Sequence, residues 1–151
     1  MVSGGQTGVD RAALDVAMAL GLPCGGWCPT GRKAEDGHLA LRYPLKETPS
    51  GEYAQRTEWN VRDSDGTLVL TRGEPSGGTA QAIEFAARLE KPCLVLDLAL
   101  EPDAAAVHAW AAARRVRVLN VAGPRESQCP GIAAQAAQFL WKLFSEDPPQ
   151  P

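Results

Sequence analysis

Histidine is nearly absent from this chain: two among 151 residues, His38 and His108, far apart in sequence. Cysteine is sparse too, at positions 24, 28, 93 and 129. Cys24 and Cys28 stand close together, but no second close pair completes a zinc set, so no structural metal is expected. Cys93 belongs to the apolar run Cys93-Leu94-Val95-Leu96 and reads as a small core residue. No apolar run approaches membrane-spanning length, and no leader pattern opens the sequence. The expectation is a cytoplasmic protein with no membrane partner. Positive charge is also short, 15 Lys and Arg against 18 Asp and Glu, for a net charge of −3. That balance argues against a nucleic-acid partner held through a basic face.

What is present is ordinary globular composition, 44% hydrophobic and 22% charged, at a length that suits one buried domain. Residues 1–146 read as that domain and 147–151 as a frayed tail. Short apolar strands alternate with amphipathic helices. Met1-Val2-Ser3 is the stub of a first strand: either that strand is very short or the natural chain starts upstream. Helices are expected over Val9–Leu20, Glu52–Asp63, Gly77–Leu89, Ala104–Ala113 (capped by Asp103) and Ile132–Phe144. Further strands are expected at Cys24–Trp27, Thr67–Leu70, Cys93–Leu98 and Val116–Val121. From Cys28 to Gly51 no period is visible, which marks a long loop. The pattern predicts an α/β protein, a Rossmann-like three-layer α/β/α sandwich with a mostly parallel sheet of about five strands. Right-handed crossovers would gather the loops that follow the strands at one sheet edge: Ser3–Asp10, Cys28–Asp36, Thr71–Thr79, Asp97–Pro102 and Ala122–Ser127.

Two glycine-rich helix starts face that edge, Gly4-Gly5-Gln6-Thr7-Gly8 and Ser76-Gly77-Gly78-Thr79. Free amides and the positive end of a helix dipole make each a candidate anion site. Missing side chains at Gly4, Gly5 and Gly8 would let a phosphate come close to the backbone. Neither loop fits a standard nucleotide fingerprint. Gly8 is followed by Val9-Asp10 and not by the Lys-Ser/Thr of a P-loop, and Gly4-Gly5-x-x-Gly8 lacks the Gly-x-Gly-x-x-Gly spacing of dinucleotide sites.

The candidate phosphate-binding residues are Ser3, Gly4, Gly5, Gln6, Thr7, Gly8, Gly77, Gly78 and Thr79. Arg32 and Lys33 would clamp the anion, and Asp10 would contact a hydroxyl or ring amine. Arg56 and Asn60, at helical spacing with Asp63, are secondary candidates. Asp10 also has a purely structural reading, as a carboxylate at a helix start. If the protein were a glycosidase, a carboxylate beside the sugar would come from Asp10, Glu35, Asp36 or Glu58. A third reading, a module that only oligomerises, would leave the two glycine loops without a ligand.

Several segments together resemble a known family. They are Ser3-Gly4-Gly5-Gln6-Thr7-Gly8-Val9-Asp10-Arg11, Gly26-Trp27-Cys28-Pro29-x-Gly31-Arg32-x-Ala34-Glu35-Asp36-Gly37, Tyr43-Pro44-Leu45 and Arg56-Thr57-Glu58-Trp59-Asn60-Val61-Arg62-Asp63-Ser64-Asp65-Gly66-Thr67, with Gly77-Gly78-Thr79 and Lys91-Pro92. They resemble the molybdenum-cofactor carrier family, a circularly permuted branch of the SLOG superfamily. The resemblance covers most of the chain to about Leu98. It implies a Rossmann-like sheet, a homo-oligomer (dimer or tetramer), and a phosphorylated small molecule at the two glycine loops. That ligand would be molybdopterin (the molybdenum cofactor) or a nucleotide. The enzyme members of the superfamily, the lonely-guy phosphoribohydrolases, cleave nucleoside monophosphates and carry a glutamate three residues past the threonine of Pro-Gly-Gly-x-Gly-Thr. Here Pro75-Ser76-Gly77-Gly78-Thr79 is similar, but that position is Ala82 and Glu84 lies too far along. Ligand binding is therefore the first expectation and N-glycoside cleavage the alternative.

Overall fold

The computed structural model describes residues 1–146. The expected tail, 147–151, lies outside the described residues. In chain order the elements are α1 (Val9–Ala19), β1 (Trp27–Cys28), β2 (Lys33–Ala34), β3 (Gly37–His38), β4 (Lys46–Glu47), α2 (Tyr53–Arg62), β5 (Gly66–Thr71), α3 (Gly77–Arg88), β6 (Cys93–Asp97), a 3-10 turn (Leu98–Leu100), α4 (Ala104–Arg114), β7 (Leu119–Ala122) and α5 (Ile132–Ser145). No described helix is long and apolar enough to cross a membrane.

The centre is β5, buried at every position and flanked in parallel by β6 and β7. Leu68 and Leu70 pack into a core built from α1, α4 and α5. A second layer, α2 against α3, packs Val61 on Phe85 and Ala86, with Cys93 of β6 against them. Ala12, Ala13, Val16 and Ala17 of α1 are buried, and these small side chains let α1 lie between α5 and β7. Asp103 caps α4 as expected, its carboxylate accepting from the Ala105 amide at 2.9 Å.

The α/β class and the parallel strands match the expectation; the five-strand sheet does not. The regular sheet has three strands, and single-residue bridges carry it through Val2 to Gly25. The expected strand at 24–27 is broken at Gly26, whose φ of 131° suits glycine and whose Cβ, if present, would stand 2.4 Å from the Ser3 carbonyl oxygen. Regular pairing resumes as a separate parallel ladder of β1 with β4. The last strand starts at Leu119 and not Val116. Upstream of it, the Asp65 carboxylate takes the amides of Arg117 and Val118 at 3.0 and 2.7 Å, in place of a strand neighbour.

One side chain gathers the middle of the loop over 28–51. Arg32, at φ 54°, donates to the carbonyls of Leu39, Ala40, Tyr43 and Leu45 at 2.7–3.2 Å. This folds the hairpin β2–β3 and the turn after it into one body, under which Leu39, Tyr43 and Leu45 pack on Leu14. Arg32 is therefore committed to the loop's own backbone. Arg32→Lys keeps the charge but cannot span four acceptors. It should lower urea-unfolding stability by about 1–3 kcal/mol and speed proteolysis within 33–47; a phosphate clamp alone would leave both unchanged.

Candidate functional site

Three of the five loops, Ser3–Asp10, Thr71–Thr79 and Ala122–Ser127, meet around a small cleft lined by Gln6 and Asp10, Tyr53, Arg56 and Thr57 of α2, Gly78, Thr79 and Ala82 of α3, Ala122-Gly123, Arg125 and Gln128. The space open to the centre of a water-sized sphere is about 50 Å³. A single water needs about 10–15 Å³ on that measure, so the cleft admits a group of a few heavy atoms, the size of a phosphoryl group.

The two glycine loops do different work. A Cβ on Gly4 would stand 2.5 Å from Arg56 Nη1, one on Gly5 within 2.8 Å of Leu39 and Leu45, and one on Gly8 2.2 Å from the Pro124 carbonyl oxygen. Protein fills the space beside all three. Two of the first amides of α1 are occupied as well: Val9 N–H donates to Pro124 O at 3.2 Å and Arg11 N–H to Gln6 O at 2.9 Å. The second loop is open. A Cβ on Gly78 would meet nothing within 4 Å, and one on Gly77 only Gln128 at 3.6 Å. Ser76 gives α3 no side-chain cap, and the amides of Gly77 and Gly78 meet no acceptor among the described residues. A helix N-terminus left in this state favours an anion.

Gln6 points the same way. It is 4% exposed, and its Oε1 accepts from the Thr7 amide at 3.1 Å and the Glu35 amide at 2.9 Å. Those two donors orient the amide, which leaves Nε2 buried beside the cleft without a partner among the described residues. An unpaired buried donor is costly and calls for an acceptor. Cations surround the same space. Arg56, 7% exposed, donates from Nη1 to Gly4 O at 2.8 Å. Its guanidinium, that of Arg125 and the Lys33 ammonium lie over the Tyr53 ring, 5.2, 4.9 and 4.8 Å from its centre.

Asp10 lies 3.7 Å from Arg56. Burial pushes its carboxyl up to about 6, against the pull of Arg56. Burial also lowers the pKa of Arg56, partly offset by Asp10.

Of the other expected residues, Ser3 donates to Val121 O at 2.7 Å inside the sheet. Asn60 holds both backbone groups of Trp27, at 2.8 and 3.0 Å. Thr7 bonds Glu35 and accepts from the Glu126 amide at 3.2 Å. Glu35 also accepts from Ser127 Oγ at 2.5 Å, and these hydroxyl bonds lower its pKa. Asp36 pairs with Arg11 at 2.5 Å. Glu58 is exposed on α2 and does not line the cleft. Asp10 is thus the one carboxylate of the four that reaches the cleft. Tyr53, Arg125 and Gln128 were not singled out from sequence. Arg125 lies in the Ala122–Ser127 edge loop, and Tyr53 precedes Arg56 by one helical turn; those were the available signals. No group of three or more His, Cys, Asp or Glu among the described residues is arranged to hold a metal ion.

With this geometry in view, residues 1–144 match the family described as circularly permutated YpsA SLOG. The chain belongs to that family. It is similar to the crystal structure of a protein from Syntrophus aciditrophicus SB named as a candidate molybdenum carrier, at 42% identity and a TM-score of 0.89, over 96% of this chain and 93% of that one. No curated protein matches. A SLOG fold accounts for helices on both sides of the sheet and for a cleft at the carboxyl ends of the strands.

Gly8→Ala, at φ 80° and against backbone, should cost at least about 3 kcal/mol in urea unfolding. Gly78→Ala should instead raise stability by up to about 1 kcal/mol, and a loss there would contradict an open α3 start. For Asp10, a folded pKa above the unfolded one means stability is present at low pH and lost as pH rises through the folded value. Relative to Asp10→Asn, the wild type should lose on the order of 2–3 kcal/mol between about pH 4 and pH 7, measured by unfolding at each pH; a pH-independent difference would refute the raised value.

Proposed function

We propose that this protein binds a phosphorylated small molecule, a nucleotide or a pterin of the molybdopterin kind, with its phosphate in the cleft at the start of α3. The observation that carries this reading is Gln6, whose buried Nε2 has no partner among the described residues and which lines the same cleft as Gly78 of the uncapped α3 start, Arg56 and Arg125. A phosphate would accept from all of them. Gly77, Gly78, Thr79 and Gln6 would hold the oxygens, Arg125 would close over them, and Asp10 would meet a hydroxyl or amine next to the phosphate. Lys33, exposed beside Tyr53, adds long-range attraction. Gly4, Gly5, Thr7 and Gly8 support the site by seating Arg56, Glu35 and the loop at 124–126.

The name of the Syntrophus protein supports a molybdenum-bearing ligand. The cleft has room for the phosphate end of molybdopterin but not for the whole molecule, so the pterin and metal end would lie outside it. A carrier of this kind needs no chemistry of its own. One observation favours the alternative, nucleoside-monophosphate N-glycosidase activity: Asp10, held near pKa 6, is a cleft carboxyl able to donate or accept a proton near neutrality.

Thermal unfolding with inorganic phosphate, ribose 5-phosphate, nucleoside monophosphates and molybdopterin tests both readings, with each nucleotide incubation also assayed for free base. At a hundredfold excess over Kd a ligand adds about 2.7 kcal/mol, a shift of several degrees that Arg125→Ala should abolish. Absence of any shift refutes binding. Release of free base that Asp10→Asn stops would establish the glycosidase.

A further inference from the structure

Asp10 and Arg56 belong to the wall that the cleft shares with a smaller chamber, whose lining adds Gly4, Asn60 and Asn120. On the same measure as the cleft, that chamber is about 20 Å³, room for a single water. A group that fills the cleft therefore leaves the Asp10 carboxylate almost no solvent. Its side chain is 11% exposed, and Arg56, at 3.7 Å, is its one ion pair among the described residues. The other cations that act on it do so from further off. Arg11, next to it on α1, is held by Asp36 at 2.5 Å and by the Gly5 carbonyl at 3.0 Å. Arg125, from the loop after β7, lies over the Tyr53 ring, as Lys33 does. From α3 and β7 the lining is Gly78, Thr79, Ala82 and Ala122, all uncharged. Among the carboxylates nearby, Glu35 bonds Thr7 and Ser127, and Glu126 caps the amides of Gly131 and Ala133.

A phosphoryl group in so small a cleft meets Asp10 at close range. Arg56, already the counter-charge of Asp10, then has two anions to serve. Two acids this close, with little water between them, do not both stay ionised; they share a proton. Protonated, Asp10 changes from an acceptor that the phosphate repels into a donor from which it accepts, and Arg56 is released to the phosphate. We infer that the ligand is taken up together with one proton, held between Asp10 and the phosphate, so that the cleft loads as pH falls and releases as pH rises. This inference rests on the reading of the cleft as a phosphate site. Burial already brings the free Asp10 carboxyl up to about 6, so the proton is easily gained near neutrality and less so above it. A phosphate monoester has its second pKa at about 6. Above about pH 7 neither partner brings the proton, and it comes from solvent. Each further pH unit then weakens binding about tenfold.

The test is calorimetric titration of the full chain with ribose 5-phosphate and, separately, with sulfate, from about pH 7 to about pH 8.5. Sulfate does not titrate in this range, so a pH slope seen with it belongs to the protein. Both dissociation constants should rise about tenfold per pH unit. The heats in buffers of different ionisation enthalpy should report about one proton taken up per anion bound. Asp10→Asn should remove both the slope and the proton. At pH 8 it should bind ribose 5-phosphate more tightly than the wild type, by up to about 100-fold, since pH 8 lies about two units above the folded value. Binding with a flat pH profile and no proton uptake overturns the inference and leaves the phosphate site standing. So does a slope that survives Asp10→Asn, or weaker binding by that variant at pH 8. No binding of either anion removes the phosphate site and this inference with it. Should Asp10→Asn fail to fold, proton uptake by the wild type with sulfate decides, because Asp10 is the one carboxyl in the cleft lining.

Discussion

The site depends on one buried guanidinium. Arg56 reaches from α2 to the Gly4 carbonyl, lies beside Asp10 at the start of α1, and stacks against Tyr53. Removing such a charge from water is expensive unless a counter-charge and hydrogen bonds go with it. Asp10 supplies the first and Gly4 one of the second. The same burial raises the Asp10 pKa and lowers that of Arg56, so each ion is held against its own desolvation mainly by the other. This explains why Gly4 lacks a side chain: the guanidinium occupies the space.

The rest of the edge is organised around that pair. Glu35 ties the loop after β2 to Thr7 and Ser127, while Asp36 holds Arg11. These carboxylates are exposed, so each pair by itself contributes little. Their joint effect is positional: they bring the first loop, the hairpin and the loop at 124–128 together, and so shape one wall of the cleft. The opposite wall, the start of α3, receives no such closure. Its free amides and the partnerless Gln6 donor are what a ligand would satisfy.

Much of this was legible in the residues. Helix periodicity placed all five helices to within a residue or two at each end, because each buries a stripe and stops at a turn residue or cap. The buried run Thr67–Leu70 marked the central strand. The sheet was less legible at its margins, where backbone partners decide. Val116–Val118 has strand-like side chains, but the Asp65 carboxylate takes the amides of Arg117 and Val118; Cys24–Trp27 is apolar, but Gly26 bends it. In the site, Gln6, Asp10, Gly78 and Thr79 were visible as members of helix starts. Arg125 and Tyr53 were not, since neither lies in a motif and only the fold brings them beside Arg56.

The order of strands and helices, and the two glycine-rich turns, were set by local chemistry: period, caps and positive-φ positions act over a few residues, and a linear reading can recover them. Which glycine turn is open was decided by tertiary packing alone. Gly4, Gly5 and Gly8 are filled by Arg56, Leu39, Leu45 and Pro124, residues up to more than a hundred positions away. The same holds for Arg32, whose four carbonyl partners come together only when the loop closes on it. A side chain's available hydrogen bonds depend on which backbone reaches it, and that is a property of the folded chain.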